Sequence, residues 1–121
     1  GDVYKRQLID FILFLINVLD FFFILNVESI MIRVKGDGRK YSFRVRTNDS
    51  GWASYSHEFT TSEDEWVERE LPLTSFYPTY RGYSLKNMHN LSELVIKEIG
   101  FMISDKITGK FELEIDWVKA K

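Results

Sequence analysis

The chain has 121 residues, 45% of them apolar and 16% aromatic, which suits one domain with a moderate core and argues against disorder. Its 16 basic and 18 acidic residues leave a net charge of -2, so nucleic acid finds no electrostatic footprint. With no cysteine and two histidines, disulfides, thiolate catalysis and cysteine-ligated zinc are excluded.

Residues 1–27 stand apart. The run FILFLINVLDFFFIL over 11–25 is interrupted only by Asn17 and Asp20. As a membrane helix it would carry Asp20 within it and Asp10 beside it, each costing roughly 2.5–3.5 kcal/mol near the middle of a span. Lys5 and Arg6 ahead of the run suit a secretory signal, but the small-residue cleavage pattern is missing. Burial as one or two strands, or as a helix packed on the domain, is the preferred reading. Because the chain opens on Gly1, the segment reads as an atypical apolar stretch with a truncated or misassembled start. The β-sandwich domain is drawn over 28–121.

From Glu28 onward apolar and polar residues alternate, the mark of strands with one buried and one wet face. Over 30–34 the inward set is Ile30, Ile32 and Val34. Over 41–46 it is Tyr41, Phe43 and Val45, with Ser42, Arg44 and Arg46 outward. Strands are also expected over 52–60, 66–71 and 98–104. The last strand, over 111–117, is expected to turn Phe111, Leu113, Ile115 and Trp117 inward, and Glu112, Glu114 and Asp116 outward toward Arg33, Lys35, Arg44 or Arg46. Residues 73–92 read as a long excursion, and a short helical turn is expected over 91–95. The fold class is all-β, an antiparallel sandwich of about seven or eight strands.

The string RVKGDGRKY over 33–41 poses a sharper question, since glycines among basic residues can cradle a phosphate. A nucleotidase loop needs four residues between its first glycine and a Gly-Lys-Ser/Thr ending, whereas one residue separates Gly36 from Gly38 and no Ser or Thr follows Lys40. The dinucleotide fingerprint lacks its third glycine, and alternation resumes where a helix should start. Gly36, Asp37 and Gly38 are therefore expected to form a structural turn of a hairpin. Asp105 and Gly109 mark a second connection of the same character.

No catalytic set assembles, so the chain is not expected to be an enzyme and no cofactor is implied. His57 shares the parity of Tyr55 and Phe59 and reads as a packed side chain; His89 reads as a loop residue. Glu63, Asp64 and Glu65 read as a solvated turn. Aromatics beside polar loops are the stronger signal. Trp52 and Tyr55, then Phe76, Tyr77, Tyr80, Arg81 and Tyr83, form a candidate surface for a protein partner or a saccharide.

The string RVKGDGRKY, continued by SFRVRT, resembles the core of the complex I intermediate-associated protein family. Further blocks agree in order: Tyr55 to Thr60 with Trp66; LPLTSF over 71–76 with Pro78, Arg81 and Gly82; IGFMISDK over 99–106 with Gly109; and FELEIDW over 111–117. The family domain usually opens with a tryptophan-containing strand and a glycine- and serine-rich segment, and residues 1–27 show neither. The resemblance implies a galactose-binding-like jelly roll close to some carbohydrate-binding modules, with no catalytic residue to carry over. It implies a chaperone-like scaffolding role in assembling a respiratory or other membrane complex, with subunits or assembly factors as partners. A saccharide is the alternative ligand, nucleic acid is not expected, and membrane contact is left open. The implied location is the matrix side of mitochondria in a eukaryote, or the cytoplasm in a bacterium.

Overall fold

The computed structural model describes residues 13–17, 28–47, 53–81, 83–107 and 109–121. They form β1 (Leu13–Asn17), β2 (Ser29–Lys35), β3 (Lys40–Thr47), β4 (Ser54–Thr60), β5 (Trp66–Pro72), β6 (Tyr77–Tyr80), β7 (Tyr83–Ser84), β8 (Ile96–Ile103) and β9 (Glu114–Ala120). Single 3-10 turns lie at Leu73–Ser75 and Leu91–Glu93, the second where a helical turn is expected. One sheet has the order β1-β8-β3-β4-β6-β7, the other β5-β2-β9. The chain is thus the expected antiparallel sandwich, with β1 and the two-residue β7 raising the strand number among the described residues to nine.

Period-two alternation places the core between the sheets. Ile30, Ile32 and Val34 from β2 meet Tyr41, Phe43 and Val45 from β3, and Ile99, Phe101 and Ile103 from β8, all buried. Phe43 is central: its ring stands edge-on to Phe101 at 5.1 Å and to Phe76 at 6.1 Å. Such pairs contribute roughly 0.5–1.5 kcal/mol beyond the area they bury. Phe76 therefore belongs to the core and not to a surface aromatic group.

Two expectations change. The turn over 36–39 does not close a hairpin, because β2 and β3 belong to different sheets. It carries the chain across the sandwich, and alternation cannot tell such a crossover from a hairpin, since both join strands of like pattern. The segment over 61–65 crosses between the sheets at this same end, as does the segment over 104–113.

The second change concerns β9. Its pairing with β2 slips between Arg33 and Val34, so that Val34 faces Ile115 while Arg33 faces Trp117. The extra residue is a β-bulge, which reverses the facing of everything after it. Val118 and Ala120 turn to the core, and Trp117 turns out beneath the Lys119 ammonium at 4.2 Å.

Near the start of the chain, β1 lies beside β8, with Leu15 opposite Gly100. The rest of the apolar run over 11–25, on which the membrane and signal readings fall, lies outside the described residues. Among the described residues, no helix is long and apolar enough to cross a membrane.

Candidate functional site

The glycine string builds a clamp. Asp37 Oδ1 accepts from the Arg39 amide and the Tyr41 hydroxyl, both at 3.1 Å, while Oδ2 accepts from the Glu112 amide at 2.9 Å. Arg39 donates through Nε and Nη2 to the two Asp105 oxygens at 2.7 Å, through Nη1 to the Lys110 carbonyl at 2.7 Å, and again through Nη2 to the Ile107 carbonyl. Thr61 Oγ1 donates to the Arg39 carbonyl at 2.7 Å and accepts from the Gly38 amide at 3.1 Å. The three crossovers at this end are thereby laced together. Gly38 has φ +87°, which glycine adopts at low cost, and Gly109 is at φ +126°.

This arrangement excludes the phosphate reading. A strand follows Gly38, and the Arg39 guanidinium is committed to Asp105 and two carbonyls. The fork from Arg39 holds the Asp105 carboxyl below its ordinary range, and the same bond raises the Arg39 pKa. Burial, with Asp37 next, pushes the Tyr41 phenol upward. A depressed carboxyl pKa stabilises the fold above the ordinary carboxylate value of about 3.9, and that stability fades as pH falls through the folded value. Asp105→Asn is expected to cost about 1–2 kcal/mol at neutral pH, since one oxygen of the fork survives. Urea denaturation from about pH 7 to about pH 2.5 should show that gap closing below about pH 4. A gap independent of pH would remove the ion pair from the account.

The candidate aromatics divide into groups. Tyr55 is 1% exposed and donates from its hydroxyl to the His89 carbonyl at 2.6 Å, so it belongs to the core and cannot be a surface platform. Trp52 lies outside the described residues. Tyr80 and Tyr83 face each other across the β6–β7 hairpin, and Tyr83 is 76% exposed. Arg81, at φ +50°, lays its guanidinium 5.2 Å from the Tyr80 ring. Tyr77 lies on the opposite parity, with its hydroxyl donating to Glu58 Oε1 at 3.2 Å. Burial, then the Glu58 charge, raises its pKa. Four of the seven named residues, Tyr77, Tyr80, Arg81 and Tyr83, thus remain at the surface, all on the β6–β7 hairpin.

Register assembles a second feature. Ser42, Arg44 and Arg46 point away from the core on β3, opposite Glu58, Ser56 and, across β8, Met102, Gly100 and Glu98. Thr79 and Tyr77 add to this face from β6. Ser42, Ser54, Ser56 and Thr79 are all buried, forming a hydroxyl floor around Arg44. Lys40 closes one side with an ion pair to Glu58 at 2.6 Å, the first cause of its raised pKa. The outer face of the smaller sheet differs: Arg33 reaches Asp116 at 3.1 Å and Glu68 at 3.3 Å, and Lys35 reaches Glu114 at 3.7 Å. Arg33 and Lys35 also lie over the Trp66 ring at 5.4 and 5.6 Å.

The expected outward pairing of Arg33 and Lys35 is therefore realised, and that of Arg44 and Arg46 is not. His57 packs its ring 5.2 Å from Phe76, and His89 is exposed beside Glu93 at 3.8 Å. Among the described residues, no group of three or more His, Cys, Asp or Glu is placed to hold a metal. The hydroxyl floor has only a faint signature in the sequence. Small hydroxyls alternate with core residues in two strands, and only the register shows that they surround one arginine.

Residues 18–115 match the family model described as complex I intermediate-associated protein 30 (CIA30). A protein of Caenorhabditis briggsae, "Probable complex I intermediate-associated protein 30, mitochondrial", is 29% identical over 98 residues, covering 77% of this chain and 29% of the relative. "Complex I intermediate-associated protein 30, mitochondrial" of Mus musculus is 30% identical over 97 residues, covering 75% of this chain and 29% of the relative. The chain thus spans less than a third of the length of these curated relatives. Among solved structures, a family 11 carbohydrate-binding module from Clostridium thermocellum in complex with a mixed-linked tetrasaccharide aligns with TM-score 0.55 and 21% identity, covering 78% of this chain and 58% of that one. A second family 11 module, from cellulase Lic26A-Cel5E of the same organism, aligns at 0.57 and 20%, covering 78% and 57%. These likenesses establish the jelly-roll fold, and the match over residues 18–115 establishes that the chain belongs to the CIA30 family of β-sandwich modules.

Proposed function

We propose that this domain is a non-enzymatic interaction module that helps assemble a respiratory membrane complex of the complex I type. The observation that carries the reading is the β6–β7 hairpin, which sets Tyr80, Arg81 and Tyr83 at the surface of a CIA30-family sandwich. Tyrosine and arginine are the side chains that anchor protein partners most often, because each combines large contact area with a polar tip. The names of the relatives in worm and mouse support complex I as the assembly and the mitochondrion as the place; the matrix side, or the cytoplasm in a bacterial host, is the location proposed with it.

Tyr80→Ala with Tyr83→Ala is expected to weaken capture of complex I subunits from the native host at least about tenfold, the scale of losing one or two anchors. The melting temperature should hold, since exposed substitutions typically move stability by about 0.5 kcal/mol or less. Undiminished capture by the double variant would discard this hairpin as the docking edge.

A second reading, saccharide binding, is favoured by the likeness to a carbohydrate-binding module and by the half-exposed Tyr77 ring on the outer face of the six-stranded sheet. A glycan array probed at high micromolar protein with no saccharide retained would set it aside.

A further inference from the structure

We propose that Arg44, at the centre of the outer face of the six-stranded sheet, is a receptor for a carboxylate side chain of a partner protein. The inference rests on the assembly reading above and supplies the chemistry of one contact within it.

A guanidinium has five N–H donors and a permanent charge. At Arg44, Nη1 reaches Met102 Sδ at 3.3 Å and Nη2 reaches Thr79 Oγ1 at 3.2 Å, while the enclosed Nε has no acceptor. Neither partner is an anion. The neighbouring charge along β3 is Arg46, a second cation. Glu58, one step along β4 from the position facing Arg44, is engaged by Lys40 at 2.6 Å and by the Tyr77 hydroxyl at 3.2 Å. Glu98 stands opposite Arg46 instead. Arg33, Lys35, Arg39, Lys40 and Lys121 each hold a carboxylate, whereas Arg44, like Arg46, holds none; among the described residues Arg44 alone has an enclosed side-chain nitrogen without an acceptor.

Half-buried charges are normally paired, because stripping water from an ion is costly unless a counter-ion replaces it. A cation kept this way in the middle of an outer face is arranged for an anion that arrives later. The hydroxyls argue against a sugar as that anion's carrier. Thr79 Oγ1 donates to the Ser54 carbonyl at 3.2 Å, lies 3.5 Å from Ser56 Oγ and accepts from Arg44, so the hydroxyl nearest the guanidinium is already engaged. A saccharide needs several free donors and acceptors converging on it. What this face lacks is a single negative charge. Gly100 puts no side chain opposite Arg44 on β8, while Met102 and the Tyr77 ring offer apolar surface to the methylenes of a glutamate. Arginine meets a carboxylate through paired, charge-assisted bonds, which fixes orientation as well as affinity.

Nuclear magnetic resonance titration tests this with three probes: the blocked peptide acetyl-Ser-Glu-Ser-amide, its glutamine counterpart, and trigalacturonate. The glutamate peptide is expected to shift the Arg44 Nε–H signal and the Ser56 and Thr79 amides, with the glutamine peptide binding at least about tenfold more weakly. Arg44→Met should abolish the shifts and raise the melting temperature, since it removes an unpaired cation and keeps the volume. A lowered melting temperature in Arg44→Met with peptide shifts intact would overturn the proposal, as would shifts produced by trigalacturonate alone. Should Arg44→Met not fold, Arg44→Lys is titrated instead; it keeps the charge and loses the fork, and binding equal to that of the unaltered domain would refute the assignment. Subunit capture separates the two levels of inference. Capture lost in Tyr80→Ala/Tyr83→Ala but untouched by Arg44→Met would leave the assembly reading standing and overturn the role of Arg44.

Discussion

Asp37→Ala is expected to destabilise the domain by about 3 kcal/mol, on the order of a 10 °C drop in melting temperature for a chain of this size. The carboxylate accepts from the Arg39 amide, the Tyr41 hydroxyl and the Glu112 amide, which belong to a crossover, to β3 and to the segment leading into β9. Tyr41 retains a second acceptor, the Glu112 carbonyl at 3.1 Å, so its hydroxyl is spared full isolation. Hydrogen bonds to a charged group contribute roughly 1.5–3 kcal/mol each and are not additive within one cluster. Asp37→Asn should fall between the two, because an amide can accept on one side only and presents a donor on the other. Thermal and urea denaturation measure all three proteins. Equal stability of the alanine variant would mean that the crossovers are held by packing alone.

Gly36→Ala is the second large effect, with an expected loss of about 1–3 kcal/mol from overpacking. An added Cβ would meet Thr61 at 2.5 Å from Oγ1, 2.6 Å from Cβ and 2.7 Å from Cγ2. A β-branched residue cannot swing aside, and this hydroxyl is already bonded to the Gly38 amide and the Arg39 carbonyl. The backbone over 61–63 must move, together with the bridge between Gly36 and Glu63. Gly38→Ala has no such neighbour, the nearest atom being the Glu63 nitrogen at 4.0 Å, and should be milder, limited by its positive φ. A calorimetric comparison ranks the two variants. If Gly38→Ala proves the more damaging, the close approach at Gly36 is not what the sequence preserves there.

The fold was legible where local physics decides it. Alternation at Ile30, Ile32 and Val34, and at Tyr41, Phe43 and Val45, placed the inward faces of β2 and β3 correctly, because a strand with one wet side must alternate. The turn character of Gly36, Asp37 and Gly38 followed from residue types alone. Which strands those turns connect did not, since pairing is a long-range choice that leaves no mark on the loop. Tyr55 shows the same limit: a tyrosine in a half-polar strand looks available to a ligand until its hydroxyl finds the His89 carbonyl, 34 residues away in sequence. The exposed hairpin was legible in part, as Tyr80, Arg81 and Tyr83 are adjacent in the chain. Arg44 was not, because its distinction is an enclosed nitrogen without an acceptor, and only the assembled sheet shows what surrounds it.

The slip between Arg33 and Val34 has a bearing on redesign and on comparing variants of this domain. Up to Ile115 an odd number in the last strand means oil, and from Trp117 onward an odd number means water. A library built on one unbroken rhythm would plant charges at Val118 and Ala120, against the core between the two sheets, and lose the fold for reasons its designer would blame on the neighbours. Deleting the single residue Asp116 would even out the rhythm with the indole still facing solvent and Val118 still facing inward, at the cost of the carboxylate that Arg33 grips.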